Sequence, residues 1–195
     1  NSEKKETFNL FKKYQNKYSN FRVIDANYEF NYSKINNQAV KEAKGEYIVL
    51  LNNDTEIITP HWLQIMVGYA MQPHIGAVGT KLLYPDNTVQ HAGIILGIGG
   101  IAQHCFIDNP RDDVGFYGRL SVPFNYSAVT AACLMVSKEK YLEVNGLEED
   151  LQVAFNDVDF NLKLLKQGYY NICLNHVELY HHESKSRGDD TVDTS

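Results

Sequence analysis

Long apolar runs are missing from this chain. The longest, Ala92 to Ala102, is too short and too rich in glycine to cross a bilayer, which takes about 20 residues. Cysteine is scarce: Cys105, Cys133 and Cys173 are an odd set without the paired spacing of a zinc site, two of them in apolar, strand-like contexts. That argues against a disulfide framework or structural zinc and for reduced thiols in a cytosolic protein. No run of lysine and arginine offsets the formal charge of −6, so a nucleic-acid backbone is not the main partner. The polar N-terminus carries no signal peptide, and there is no internal repeat or low-complexity tract.

What is present is enough apolar material for one domain. With 195 residues, 44% of them hydrophobic and 12% aromatic, the chain is long enough for a well-filled core. Phe8, Leu10, Phe11 and Tyr14 recur at helical spacing between Glu3 and Tyr18, Phe21 to Asp25 reads as a short strand, and a second helix starts at Ser33 with Gly45 as its cap. A strand ends at Asn52, a helix starts at Pro60, and Ile75 to Gly79 is a buried strand. This alternation predicts an α/β fold with a mainly parallel sheet flanked by helices. Hairpins and long loops fill Tyr84 to Pro123, and the residues from Asp189 to Ser195 have the composition of a disordered tail.

Three segments carry candidate chemistry. In the first, Glu46 to Glu56, an apolar strand runs straight into Asn52-Asn53-Asp54. Ligands of open α/β sheets collect beyond the carboxyl ends of strands, where Asp54 would face a metal and an anion; an ordinary polar turn has the same composition. In the second, a small-residue strand from Thr130 to Val136 is followed by the turn Asn145-Gly146 and by Phe155-Asn156-Asp157-Val158-Asp159, which opens a helix. Acids there also fit a helix start, where the dipole favours them by roughly 0.3–1 kcal/mol. The third is Leu179-Tyr180-His181-His182, followed by Glu183 to Gly188.

In this order and spacing the three segments resemble glycosyltransferase family 2, the inverting enzymes of the GT-A (Rossmann-like) fold, and among them bacterial polysaccharide and rhamnosyl-type transferases. The likeness covers residues 1–188 as a single domain. It implies a nucleotide-diphosphate sugar donor, a glycan acceptor, and Mn²⁺ or Mg²⁺ held by Asp54 and His181, with His181 preferred over its neighbour His182. Asn52 stands where the family has the first acid of its Asp-x-Asp motif; its amide still offers an oxygen but no charge. Asp157 matches the catalytic base, with Asn156 in place of the usual Glu. By the same likeness Asn37, Lys185 and Arg187 lie near the nucleotide, residues 86–93 are an acceptor-side segment, and His91 and His104 have no assigned role.

The resemblance also makes the chain look N-terminally truncated. Two strands that carry part of the nucleotide-base pocket are missing before Asn1, which would leave a sheet edge open to pairing with a second copy. The implied location is cytoplasmic, with peripheral attachment at the inner face of the membrane. The rival reading is a truncated or degenerate GT-A-like module that binds a glycan or a protein partner; a glycoside hydrolase built on Asp157 and Asp159 ranks third, because carboxylates two positions apart at a helix start diverge.

Overall fold

A computed structural model describes residues 4–98 and 100–182. The first helix, α1 (Lys5–Lys17), buries none of its residues; Phe8 packs on Phe11, and Tyr14 on Tyr18 and Phe21. The strand expected at Phe21 to Asp25 does not form, and Phe21 and Val23 are exposed. Alternating apolar residues supply a local preference, but a strand also needs a neighbour to take its backbone groups, and none among the described residues pairs with it.

Helix α2 (Tyr32–Glu42) is capped by Asn31, whose side chain accepts the Lys34 N–H. It ends at Ala43 in an extended conformation rather than on Gly45. The chain continues through β1 (Tyr47–Leu51), β2 (Thr55–Ile57), α3 (Trp62–Ala70), β3 (Ile75–Leu83), β4 (Val89–His91), β5 (Ile94–Leu96), β6 (Ala102–His104), β7 (Pro123–Tyr126), β8 (Cys133–Ser137), α4 (Lys138–Glu143), α5 (Asn156–Lys166) and β9 (Tyr170–His181). Helix α3 begins two residues after Pro60, behind a left-handed His61.

The main sheet runs β1-β8-β3-β9-β2, with β4 joined to β3 and β7 to β9. It is mixed, not mainly parallel: among the described residues β3–β9 is the one parallel pair. The expected alternation fails for a topological reason. Strands β1 and β3 do run the same way, as a helical crossover between them requires, but β8 inserts between them antiparallel to both.

All nine residues of β3 are buried, and successive strand residues serve opposite faces. Leu134 and Val136 pack with Val40 of α2, Tyr141 of α4 and Phe160 and Leu164 of α5; Cys133 and Met135 pack with Trp62, Met66 and Ala70 of α3. The cysteines are free, and burial pushes the thiols of Cys105 and Cys133 up to about 11, which leaves them unreactive near neutrality.

The excursion between β3 and β7 is tied down by an ion triad of which Lys81 is buried and Glu178 and Arg111 are partly so. Lys81 Nζ lies 2.8 Å from one carboxylate oxygen of Glu178, and Arg111 grips the other with Nε at 3.0 Å and a terminal nitrogen at 2.8 Å. Lys81 also reaches the Leu120 carbonyl at 3.3 Å, so strand β3, strand β9 and the second half of the excursion are tied together around one carboxylate.

Candidate functional site

Strand order brings the ends of β1 and β9 together. Leu51 pairs with Cys133, and the Asn52 N–H donates to the Ala132 carbonyl at 3.0 Å, so β1 stops beside the entrance to β8. Thr55 Oγ1 donates to the Asn52 carbonyl at 2.9 Å, closing the Asn52–Asp54 turn and sending the chain into β2, which pairs with the end of β9 at Thr55 and His181. The His182 N–H then donates to the Asp54 carbonyl at 2.9 Å.

Four side chains meet at this junction. His181, only 6% exposed, places Nε2 3.2 Å from Asp54 Oδ1 and 3.2 Å from Asn52 Nδ2. Its other nitrogen, Nδ1, lies 2.7 Å from Gln90 Oε1. An amide oxygen only accepts, so Nδ1 donates to Gln90; in the neutral ring this leaves the Nε2 lone pair directed toward Asn52 and Asp54. Asp54 Oδ1 is shut off from solvent and receives no conventional hydrogen bond. A carboxylate oxygen and an imidazole lone pair aimed at one point, with an amide beside them, suit a divalent cation such as Mn²⁺. Among the described residues no three His, Cys, Asp or Glu side chains converge on one position, so further ligands would come from water or a bound diphosphate. His182, the neighbour, points elsewhere: its Nε2 meets Glu56 at 3.4 Å and is well exposed.

The segment entering β8 ties this junction to the second candidate region. Asp157, in the first turn of α5, accepts the Ala131 N–H on Oδ2 at 3.2 Å and the Val158 N–H on Oδ1 at 2.8 Å. Asn161, one turn on, bonds both backbone groups of Val129, at 3.2 and 3.0 Å. The Thr130 N–H points to His91 Nε2 at 3.4 Å, and Tyr32 donates to the Ala131 carbonyl at 3.1 Å. Thr130 to Ala132 therefore links Asn52, Asp157, His91 and Tyr32 through main-chain groups. His91 is fully buried, and burial, with the adjacent His104 and His181, drives its pKa well below 6.5, so it stays neutral. His104 donates from Nδ1 to the Gln90 carbonyl at 3.2 Å and lines a cavity of about 500 Å³ with Ile95, Phe106, Arg119 and Tyr126.

The other expected residues fall differently. Asn37, expected near the nucleotide, has its amide engaged inside the protein. Its nitrogen donates to the Leu147 carbonyl and to Glu149, at 2.9 and 3.1 Å, while its oxygen accepts from Tyr141 and from the Leu147 N–H, at 2.6 and 3.0 Å. It clamps α2 to the turn at Gly146. Asn156 is likewise internal, reaching the Leu151 and Val153 carbonyls, and Asp159 is paired with Lys163 at 2.8 Å. Lys185 and Arg187 lie outside the described residues. Sequence reasoning placed Gln90 and His91 in an acceptor-side segment without a role beside Asp54 and His181, and did not single out Tyr32; the one available signal was a Gln-His pair inside an apolar stretch, where an unpaired polar group is costly.

Comparison with known proteins adds the following. The profile described as Glycosyl transferase family 2 matches residues 1–135, ahead of both Asp157 and His181. The uncharacterized protein y4gI of Sinorhizobium fredii is 48% identical over 168 residues, which are 86% of this chain and 18% of that protein. The O-antigen biosynthesis protein RfbC of Myxococcus xanthus is 39% identical over 201 residues, covering 98% of this chain and 15% of its own length. The chain thus spans less than a fifth of these relatives. Among solved structures, GalNAc-T7 with UDP, GalNAc and Mn²⁺ superposes with a TM-score of 0.74 at 12% identity, over 93% of this chain and 36% of that one. The mannosyltransferase PcManGT of Pyrobaculum calidifontis, in complex with GDP-Man and Mn²⁺, gives 0.65 at 16% identity, over 95% and 46%. At such identities the likeness is one of fold: a mixed sheet flanked by helices, of GT-A type.

Proposed function

The chain belongs to glycosyltransferase family 2, and on that premise we propose that it is the GT-A domain of a metal-dependent, inverting transferase that moves a sugar from a nucleoside diphosphate to a hydroxyl of a glycan acceptor. The observation that carries this reading is the convergence of Asp54 Oδ1 and His181 Nε2 on one point, with Asp157 fastened to the same short segment that abuts Asn52. A bound Mn²⁺ would supply positive charge to the diphosphate as it departs.

The protein's own part is to orient and to accept a proton. Asp157 takes the proton of the acceptor hydroxyl while its oxygen bonds to the anomeric carbon; the bond from that carbon to the diphosphate oxygen breaks, and the electron pair leaves with the nucleotide. Attack opposite the leaving group inverts the configuration. The Ala131 and Val158 N–H groups hold the carboxylate still, so the base is set before the acceptor arrives. The acceptor we infer, from the name of the RfbC relative, is a growing bacterial surface polysaccharide, made on the cytoplasmic side of the membrane; among the described residues no helix is long and apolar enough to cross a membrane.

A second reading, a non-catalytic module that binds a glycan or a protein, is favoured by Asn52, a neutral amide where an acid is usual and now seated on His181 Nε2. Calorimetry with UDP-, dTDP- and GDP-sugars, with and without Mn²⁺, decides between the two. Binding that requires Mn²⁺, followed by sugar release or transfer, supports the transferase; no nucleotide binding under either condition favours the module.

A further inference from the structure

Gln90 holds His181 from both ends. Its Oε1 takes the Nδ1–H at 2.7 Å and its Nε2 reaches the His181 carbonyl at 3.5 Å. Gln90 is itself buried in β4, which pairs with the central β3, and its carbonyl is met by His104. The amide is therefore built into the sheet rather than free to follow the ring.

This contact decides which imidazole nitrogen keeps a lone pair. Left to itself, the Asp54 carboxylate 3.2 Å from Nε2 would draw the proton there, since an N–H donating to a charged oxygen is a strong hydrogen bond. The site would then close on itself, with no lone pair to offer. An obligate acceptor on Nδ1 opposes that outcome. We propose that Gln90 is a positioning residue that selects the metal-ready form of His181, proton on Nδ1 and lone pair on Nε2. The role rests on the reading above that Asp54 and His181 hold a cation, and it belongs to a pattern in which the outer contact of a histidine ligand sets its orientation and basicity.

The test uses Gln90→Leu, which removes the acceptor, and Gln90→Glu, which keeps one. Nitrogen-15 shifts of the His181 ring, recorded without metal at a pH where the ring is neutral, report the tautomer. Wild type and Q90E should carry the proton on Nδ1, and Q90L on Nε2. Mn²⁺ affinity, read by calorimetry, should fall about 10- to 100-fold in Q90L and stay near wild type in Q90E. Transfer should follow the metal, with the Mn²⁺ requirement raised in Q90L and kcat restored at saturating Mn²⁺. If Q90L keeps the proton on Nδ1, or if Q90L and Q90E lose Mn²⁺ affinity equally, the proposal is overturned. Should Q90L fail to fold, Gln90→Asn, too short to reach Nδ1, is read the same way. Absence of Mn²⁺ binding in the wild type would overturn the transferase reading alone, and the tautomer comparison would still decide the part played by Gln90.

Discussion

The amide nitrogen of Asn52 lies 3.2 Å from Nε2 of His181, across 129 residues of chain. A neutral donor thus occupies the lone pair that a cation would use, and Asn52 must turn aside or present its oxygen when metal arrives. An acid at this position would remove the competing donor and add charge. Asn52→Asp should tighten Mn²⁺ binding about tenfold, as ligand charge does at oxygen-rich sites, and a calorimetric titration that finds weaker binding contradicts this account.

Asp54→Ala and His181→Ala should each weaken Mn²⁺ and donor binding together, while His182→Ala should leave both within about twofold, because its ring faces Glu56 and solvent. Metal titrations of the three variants side by side check this. Equal losses at His181 and His182 would mean that neither ring is a ligand.

Asp157→Asn keeps an oxygen for the Ala131 or Val158 N–H but loses the proton acceptor. Transfer should drop by about 10²–10⁴-fold, with donor affinity and thermal midpoint close to wild type. Retention of more than about a tenth of kcat would remove Asp157 from its role.

Glu178 bears on stability and its pH dependence. Burial pushes its carboxyl up, but the bonds and charges of Lys81 and Arg111 outweigh that and hold it below its ordinary 4.5. The stabilisation is complete above the unfolded value and is lost as pH falls through the lower folded value. Glu178→Gln leaves Lys81, whose side chain is 5% exposed, without its counter-charge and should cost about 3–5 kcal/mol at neutral pH. Urea unfolding from about pH 7 to about pH 3 should show a flatter profile for the variant than for wild type.

Gly146→Ala should destabilise by about 2–4 kcal/mol. The residue sits at φ +67°, and an added Cβ would stand 2.5 Å from the Asn37 oxygen and 2.7 Å from the Tyr141 ring. If Asn37 serves as a clamp rather than as a nucleotide ligand, the surviving folded protein should bind donor normally; a selective loss of nucleotide affinity would place Asn37 at the site.

Local chemistry reveals some of this site and hides the rest. Asp54 and His181 stand out because each follows an apolar strand, and a strand end is where an α/β sheet opens to ligands. Asn37 is ambiguous because an amide on an amphipathic helix looks the same whether it faces a ligand or a turn. Gln90 is read as part of an acceptor-side segment rather than beside His181, because a three-residue strand is too short to show which partner it meets. The sheet's direction is equally hidden: β3 is buried throughout and mostly apolar, as a central strand is beside either parallel or antiparallel neighbours, and nothing in Cys133–Ser137 announces that it will slip between β1 and β3.

The pairing of β2 with the last turn of β9 has a consequence for the order of events during synthesis. Asn52 and Asp54 leave the ribosome long before His181, and closing so long a loop costs entropy that only the completed sheet returns. A nascent chain stopped anywhere before β9 carries the carboxylate without its imidazole, so the growing polypeptide has no cation seat to fill. On the proposed reading, metal capture would thereby be postponed until β9 is in place, and a product terminated before it would be left unmetallated.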